Sequence, residues 1–159
     1  MADKAFSSIS ASVLLDDVRS SVAGSLNYEP KDANDKWVFA EVAVSNSSSS
    51  LLTTTNDFLA AGLALATGDK IQWIAIKNLS TTTSDGIGIN LAGGTVIWNL
   101  ADGIFIGAGE VVILKCHNTT VANFHAISVT MDGTYGYPSG THAGSVTVHV
   151  AAIIDDVSV

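Results

Sequence analysis

Charge is scarce in this chain. Asp, Glu, Lys and Arg make up 14% of its 159 residues, where ordinary globular proteins carry about 25%. Only seven residues are Lys or Arg, they are scattered singly, and the net charge is -8. No basic stripe exists to neutralise phosphates, so nucleic acid is excluded as an expected partner. The lone cysteine, Cys116, permits neither an internal disulfide nor a four-thiolate zinc site nor a redox pair. Long hydrophobic runs are missing too. Apolar residues reach 47%, yet the longest stretch, Phe58 to Ala66, falls far short of the roughly 20 residues that cross a bilayer. No membrane partner is expected, and Met1 to Phe6 carries no charged-then-apolar secretion signal.

Neutral hydroxyl groups fill the gap. Ser and Thr supply about a fifth of the residues, clustered in Ser47 to Ser50, Thr53 to Thr55 and Thr81 to Ser84. Low charge beside ample apolar area is the composition of a subunit in a permanent oligomer, because obligate interfaces are more hydrophobic than free surface. The chain itself is therefore the first expected partner. Its length fits one domain with a short arm. Residues 1–20 are expected to form an N-terminal strand or extended arm, and residues 21–159 a single β-sandwich.

Period-two patterning dominates. Phe6 to Leu15 alternates imperfectly, Val22 to Tyr28 is a short strand, and Glu29 to Asp35 is a polar loop broken by Pro30. From Lys36, Val38, Ala40, Val42 and Val44 offer a continuous inward face. Asn56 and Asp57 are placed to cap a short helix through Ala61. Lys70 to Asn78 is expected as a central strand covered on both sides, with Ile74 and Ile76 on one face and Ile71 and Trp73 on the other. Between Gly86 and Leu114, the pairs Ile87/Ile89, Val96/Trp98, Ile104/Ile106 and Val112/Leu114 mark four short strands divided by glycine turns. Asn123 to Met131 and Gly144 to Ile154 are long strands joined by the loop Asp132 to Thr141. Eight to ten short strands with almost no helix specify an all-β fold, an antiparallel β-sandwich of jelly-roll kind, with an immunoglobulin-like sandwich as second choice.

Chemistry finds little purchase here. Cys116 and His117 are adjacent on a strand and point to opposite faces, so they do not form a nucleophile and base, and Cys116 reads as a small core hydrophobe. His125, His142 and His149 are isolated in sequence. The Asp16-Asp17 and Asp155-Asp156 pairs read as solvated strand ends. Gly86-Ile87-Gly88-Ile89 lacks the third glycine and the helix of a dinucleotide site. Glycosylation acceptor triplets begin at Asn46, Asn78 and Asn118. Trp37, Trp73 and Trp98 lie within strands, where core packing is the default. Tyr135 and Tyr137, separated by Gly136 and followed by Pro138, sit in a glycine-rich loop that cannot bury them. Together with Phe6 and Ile9 of the arm, Tyr135, Tyr137 and Pro138 are the expected interface residues. No catalytic, cofactor or metal residue is assigned, and no enzyme is expected.

Four segments in order, IQWIAIKNL (Ile71 to Leu79), GIGINLAGGT (Gly86 to Thr95), GAGEVVILK (Gly107 to Lys115) and AGSVTVHVAAI (Ala143 to Ile153), resemble small structural proteins of tailed bacteriophages. The resemblance is to capsid decoration, or cement, proteins and covers Lys36 to Ile154. It implies a homotrimer that binds the major capsid protein on the outer surface of the head and resists the pressure of packaged DNA. It brings no catalytic residue. The arm through Val13 is placed to reach a neighbour. A carbohydrate-binding or tail- and fibre-associated β-sandwich module is the alternative, using the Tyr135 to Pro138 loop.

Overall fold

The computed structural model describes residues 5–15, 18–30, 35–52, 65–92, 103–116, 118–134 and 136–155. The expected helix after Asn56 and the expected strand at Val96 and Trp98 lie outside them. Eleven strands are described: β1 (Ala5–Leu15), β2 (Val18–Tyr28), β3 (Lys36–Val44), β4 (Ser49–Ser50), β5 (Lys70–Asn78), β6 (Asp85–Asn90), β7 (Ile104–Ile106), β8 (Val111–Lys115), β9 (His125–Met131), β10 (Pro138–Thr141) and β11 (Val146–Asp155). A single 3-10 turn, Val121–Asn123, precedes β9.

The chain forms two compact units, Met1–Ala33 and Asn34–Val159. The first is the antiparallel ribbon β1-β2, in register from Ala5↔Tyr28 to Leu15↔Val18. A boundary at residue 20 would cut β2, which spends its whole length paired to β1, so the division falls after Ala33 instead.

The second unit is a sandwich of two antiparallel sheets. One has the order β3-β11-β5-β8; the other runs β10-β9-β6-β7, with β4 also paired to β9. The pairings are nested: β3 with β11, β4 with β9, β5 with β8, β6 with β7. Apart from β10, which folds back on β9, first meets last, second meets next to last, and so inward, as when one long two-stranded ribbon is rolled up. That is a jelly roll. An immunoglobulin-like sandwich pairs its first strand with its second, which this one does not.

The core lies between the sheets. On β3, Val38, Ala40, Val42 and Val44 are buried as the alternation predicts, and Val146, Val148, Val150, Ala152 and Ile154 of β11 face them from the adjacent strand. Ile87, Ile89 and Ile106 close the core from the opposite sheet.

Strand β5 departs from strict alternation. Opposite β11 the register slips between Ile153 and Ile154, whose partners are Trp73 and Ile71. Gln72 is the extra residue of a β-bulge, and a bulge reverses the facing of everything beyond it. Ile71 therefore joins Ile74 and Ile76 in the core rather than sharing a face with Trp73. The loop after β9 also differs from expectation, because it ends in β10. Asp132 N–H donates to Tyr137 O at 2.7 Å and Gly136 N–H to Asp132 O at 2.8 Å, with Gly136 at φ 68, so the turn folds β10 back onto β9. Pro138 opens that strand, where its missing N–H is tolerated.

The glycines of β6 have a packing reason. Gly86 pairs with Val129 and Gly88 with Ile127, on the outer face, where Ile127, Val129, Met131 and Phe105 form a second apolar cluster. A Cβ on Gly86 would run into Met131 Cγ and Sδ, whereas one on Gly103 would stand 2.8 Å from the Ile89 carbonyl oxygen. A methionine side chain swings aside more readily than backbone. Gly103→Ala is expected to cost roughly 1–3 kcal/mol and Gly86→Ala about 1 kcal/mol or less, read as shifts in urea midpoint at constant m-value.

Candidate functional site

No described cluster of three or more His, Cys, Asp or Glu is placed to hold a metal ion. Functional candidates are therefore surfaces, beginning with the ribbon β1-β2. Its register sorts the residues onto two faces. One carries Phe6, Ser8 and Ser10 opposite Asn27, Ser25 and Ala23; the other carries Ile9 and Ala11 opposite Gly24 and Val22, continuing to Leu26 and Tyr28. The second face is mostly apolar, broken by Ser7 opposite Leu26, and Ile9 and Val22 on it are 57% and 72% exposed. Phe6, 71% exposed, stands on the hydroxyl-rich face. A two-stranded ribbon by itself is marginal in water.

The second surface is the outer face of the four-stranded sheet. Read across β3, β11, β5 and β8, its rows are Trp37, Ile153, Trp73, Lys115; then Phe39, Ala151, Ala75, Ile113; then Glu41, His149, Lys77, Val111. Ile153 and Trp73 are buried, and Trp73 Nε1 meets no acceptor among the described residues. Phe39 and Val111 are 67% and 56% exposed. The Phe39 ring packs tilted on His149 with centroids 5.8 Å apart, and His149 Nε2 lies 3.2 Å from Glu41 Oε2. This apolar face was missed from sequence, where the tryptophans read as core. The signal was present: β3 alternates Val and Ala with Trp37 and Phe39, so it is apolar on both faces.

At one end of the sandwich, loops 79–84, 107–110 and 132–137 meet. A pocket of about 140 Å³ opens among Thr83, Gly107, Glu110, Met131, Asp132 and Gly136. Glu110 Oε2 accepts from Gly107 N–H at 2.6 Å and Asp132 Oδ1 from Thr134 N–H at 2.8 Å. Gly109, at φ 74, shapes the turn that closes with Glu110 N–H on Gly107 O. Tyr137 is exposed on the same loop as Asp132, Pro138 is buried in β10, and Tyr135 lies outside the described residues.

Asp85 joins two of the connecting segments. Its carboxylate accepts from Ser80 Oγ at 2.8 Å and from His142 Nε2 at 3.2 Å. Gly144 N–H donates to His142 Nδ1 at 3.1 Å, which fixes the proton on Nε2 and occupies the basic nitrogen. The residue types of a hydrolytic triad are here, but the aspartate stands between serine and histidine, so Ser80 bonds to the carboxylate and not to the imidazole. The arrangement fastens loops. Asn78 is fully buried, with its amide on Asp85 O and Ile106 O, so it cannot accept a glycan, whereas Asn46 and Asn118 are exposed.

The other end of β5 is polar inside. Lys36 Nζ donates to Asp69 Oδ2 at 2.9 Å, and Ala66 N–H donates to the same oxygen. Gln72, the bulge residue, donates to Asp155 Oδ2 at 2.7 Å. Asp155 is thus a buried acceptor and not a solvated end. Asp16, Asp17, Asp156 and His117 lie outside the described residues. Cys116 is buried in the core cluster as expected, and burial pushes its thiol up from 9.0 to about 11. His125 directs Nε2 to Ala122 O at 3.0 Å.

No family model, curated protein or solved structure matches the chain.

Two outcomes check this description. Lys36→Met strands the Asp69 carboxylate in the interior and is expected to cost about 3–5 kcal/mol, seen in chemical unfolding. Cys116 is expected to react with iodoacetamide at pH 8 at least roughly 100-fold more slowly in the folded protein than after unfolding, because only the thiolate attacks.

Proposed function

We propose that this protein is a virion structural protein, a capsid decoration or cement protein that binds the outer surface of a phage head and stabilises it. The observation that carries this reading is the exposure of Ile9 and Val22 on one face of the ribbon β1-β2, in a chain whose other unit is a jelly roll. Such a ribbon is suited to bridging between subunits, and the described residues of the four motifs between Ile71 and Ile153 that resemble decoration proteins fall on strands and turns of the jelly roll. The low charge supports the reading from another side. A neutral, hydroxyl-rich surface packs on protein, and the net charge of -8 repels packaged DNA. In this role the partners are the chain itself, as a homotrimer, and the major capsid protein. A protein that binds only the assembled shell lowers its free energy by mass action. No step of the role needs a catalyst or cofactor.

The pocket lined by Glu110 and Asp132, whose loop carries the exposed Tyr137, favours one second reading, a carbohydrate-binding module, because carboxylates and aromatic rings are sugar-binding chemistry. Glycan binding that Tyr137→Ala abolishes would select it.

The direct test counts copies of this protein per purified virus particle against the major capsid protein by quantitative mass spectrometry. A ratio near one, or another simple fraction set by the lattice, is expected, together with heads that rupture at lower temperature when the protein is absent. A handful of copies would move it to the tail or vertex, and complete absence would overturn the role.

A further inference from the structure

We propose that Lys36 and Asp69 condense into an intramolecular amide, a covalent tie between β3 and the segment that leads into β5. The inference stands apart from the decoration role, and its test needs no virus.

Among the described residues these two side chains are the most deeply buried pair of opposite charges, 6% and 0% exposed, with Lys36 Nζ 2.9 Å from Asp69 Oδ2. Asp69 Cγ is one bond beyond that oxygen, so it lies within about 4.1 Å of the amine. A small side-chain adjustment reaches the roughly 3–3.5 Å of a reactive contact. The aspartate is held for it. Its N–H donates to Ala66 O at 3.1 Å, its carbonyl oxygen accepts from Val121 N–H at 2.8 Å, and Oδ2 accepts from Ala66 N–H at 2.9 Å. The two carboxylate oxygens are treated unequally. Oδ1 is buried and meets no donor among the described residues, a costly state for an oxygen that shares a carboxylate's charge. An ion pair leaves that cost standing; an amide removes the oxygen.

The step balances without a further reactant. One proton passes from the Lys36 ammonium to Oδ1, giving a neutral amine and a neutral acid, a transfer that a dry interior favours because it removes two unhydrated charges. The Nζ lone pair then attacks Cγ. The Nζ–Cγ bond forms while negative charge develops on Oδ2, where Ala66 N–H already points. As Oδ2 regains its carbonyl bond, the Cγ–Oδ1 bond breaks, and Oδ1 leaves as water with its own proton and a second from Nζ. One N–H remains on the new amide, and nothing is oxidised or reduced.

Position gives the bond its effect. Lys36 lies opposite Ile154, and Lys70, next to Asp69, lies opposite Asp155. The tie therefore spans the end of β11, from the strand on one side to the strand on the other. It closes residues 36–69 into a ring, which restricts the unfolded chain as a disulfide does, in a protein whose single cysteine permits no internal disulfide.

The test is the intact mass of the purified full-length protein, followed by a tryptic map. The folded protein is expected to be lighter than its sequence by one water, with or without Met1. Trypsin cuts an unmodified chain after Lys36; the amide blocks that cut and leaves residues 32–70 as one peptide, also lighter by one water. Chymotryptic cleavage after Trp37 and Phe58 then leaves two pieces joined through Lys36 and Asp69. Lys36→Arg keeps a positive charge beside Asp69 but supplies no amine, so it is expected to show the full sequence mass with circular dichroism unchanged. If that variant fails to fold, the joined pieces from the wild type decide alone. A wild-type protein of full sequence mass overturns the proposal. So does a deficit that Lys36→Arg retains, or one that mild base restores, as it does for a cyclised aspartyl-glycine and not for an amide.

Discussion

The sandwich hangs on β11. It is the one strand of its sheet that joins β3 to β5, and through β5 it reaches β8. Its inward residues from Val146 to Ile154 are all essentially inaccessible. Burying side chains of this kind is worth roughly 1.5–3 kcal/mol each, and none of it is realised until β11 is seated between two strands that lie far from it in sequence. The nesting of the roll makes this dependence general, because every pair of the sandwich except β6-β7 and β9-β10 encloses other strands. Most contacts are therefore non-local, and folds of this kind form slowly because loop closure precedes the reward of burial.

A single inserted residue controls how the two faces of this sheet are used. Without the bulge at Gln72, strict alternation would put Ile71 on the outer face beside Trp73 and would draw the Gln72 amide toward the core. With it, Ile71 fills the core and Gln72 finds Asp155. The polar end at Lys36 and Asp69 completes the same edge of the sandwich. Buried ion pairs are weak contributors to net stability but costly to break, so the pair enforces one arrangement of β3 against the segment leading into β5 more than it strengthens it. The consequence is a sheet whose outer face is apolar from Trp37 to Val111, with charge confined to its rim and last row.

The sandwich was legible wherever alternation is local. β3, β9 and β11 are visible as runs of inward residues, and the turn glycines at 103, 107 and 109 bracket β7. What could not be read depends on cross-strand register. The bulge, the strand within the loop after β9, and the burial of Asp155 are set by partners up to 83 residues away in sequence. Phe6, Ile9 and Tyr137 are exposed, as their places in an arm and a glycine-rich loop require, but Pro138 is held in β10. Trp37 of the outer face was hidden by the default that tryptophans in strands pack in the core. That default fails when a strand is apolar on both sides.

The position of β11 also has a meaning in time. Synthesis runs at about 5–20 residues per second, so β3 and β5 emerge several seconds before residues 146–155, the strand that must lie between them. Throughout that interval their facing edges are unpaired and flanked by valine and isoleucine, which is the form in which strands recruit foreign chains. A ribosome stalled before residue 146 would leave a nascent chain with an exposed gap in the sheet, a target for chaperones and proteases. The cell's cost of making this protein is set by its last strand.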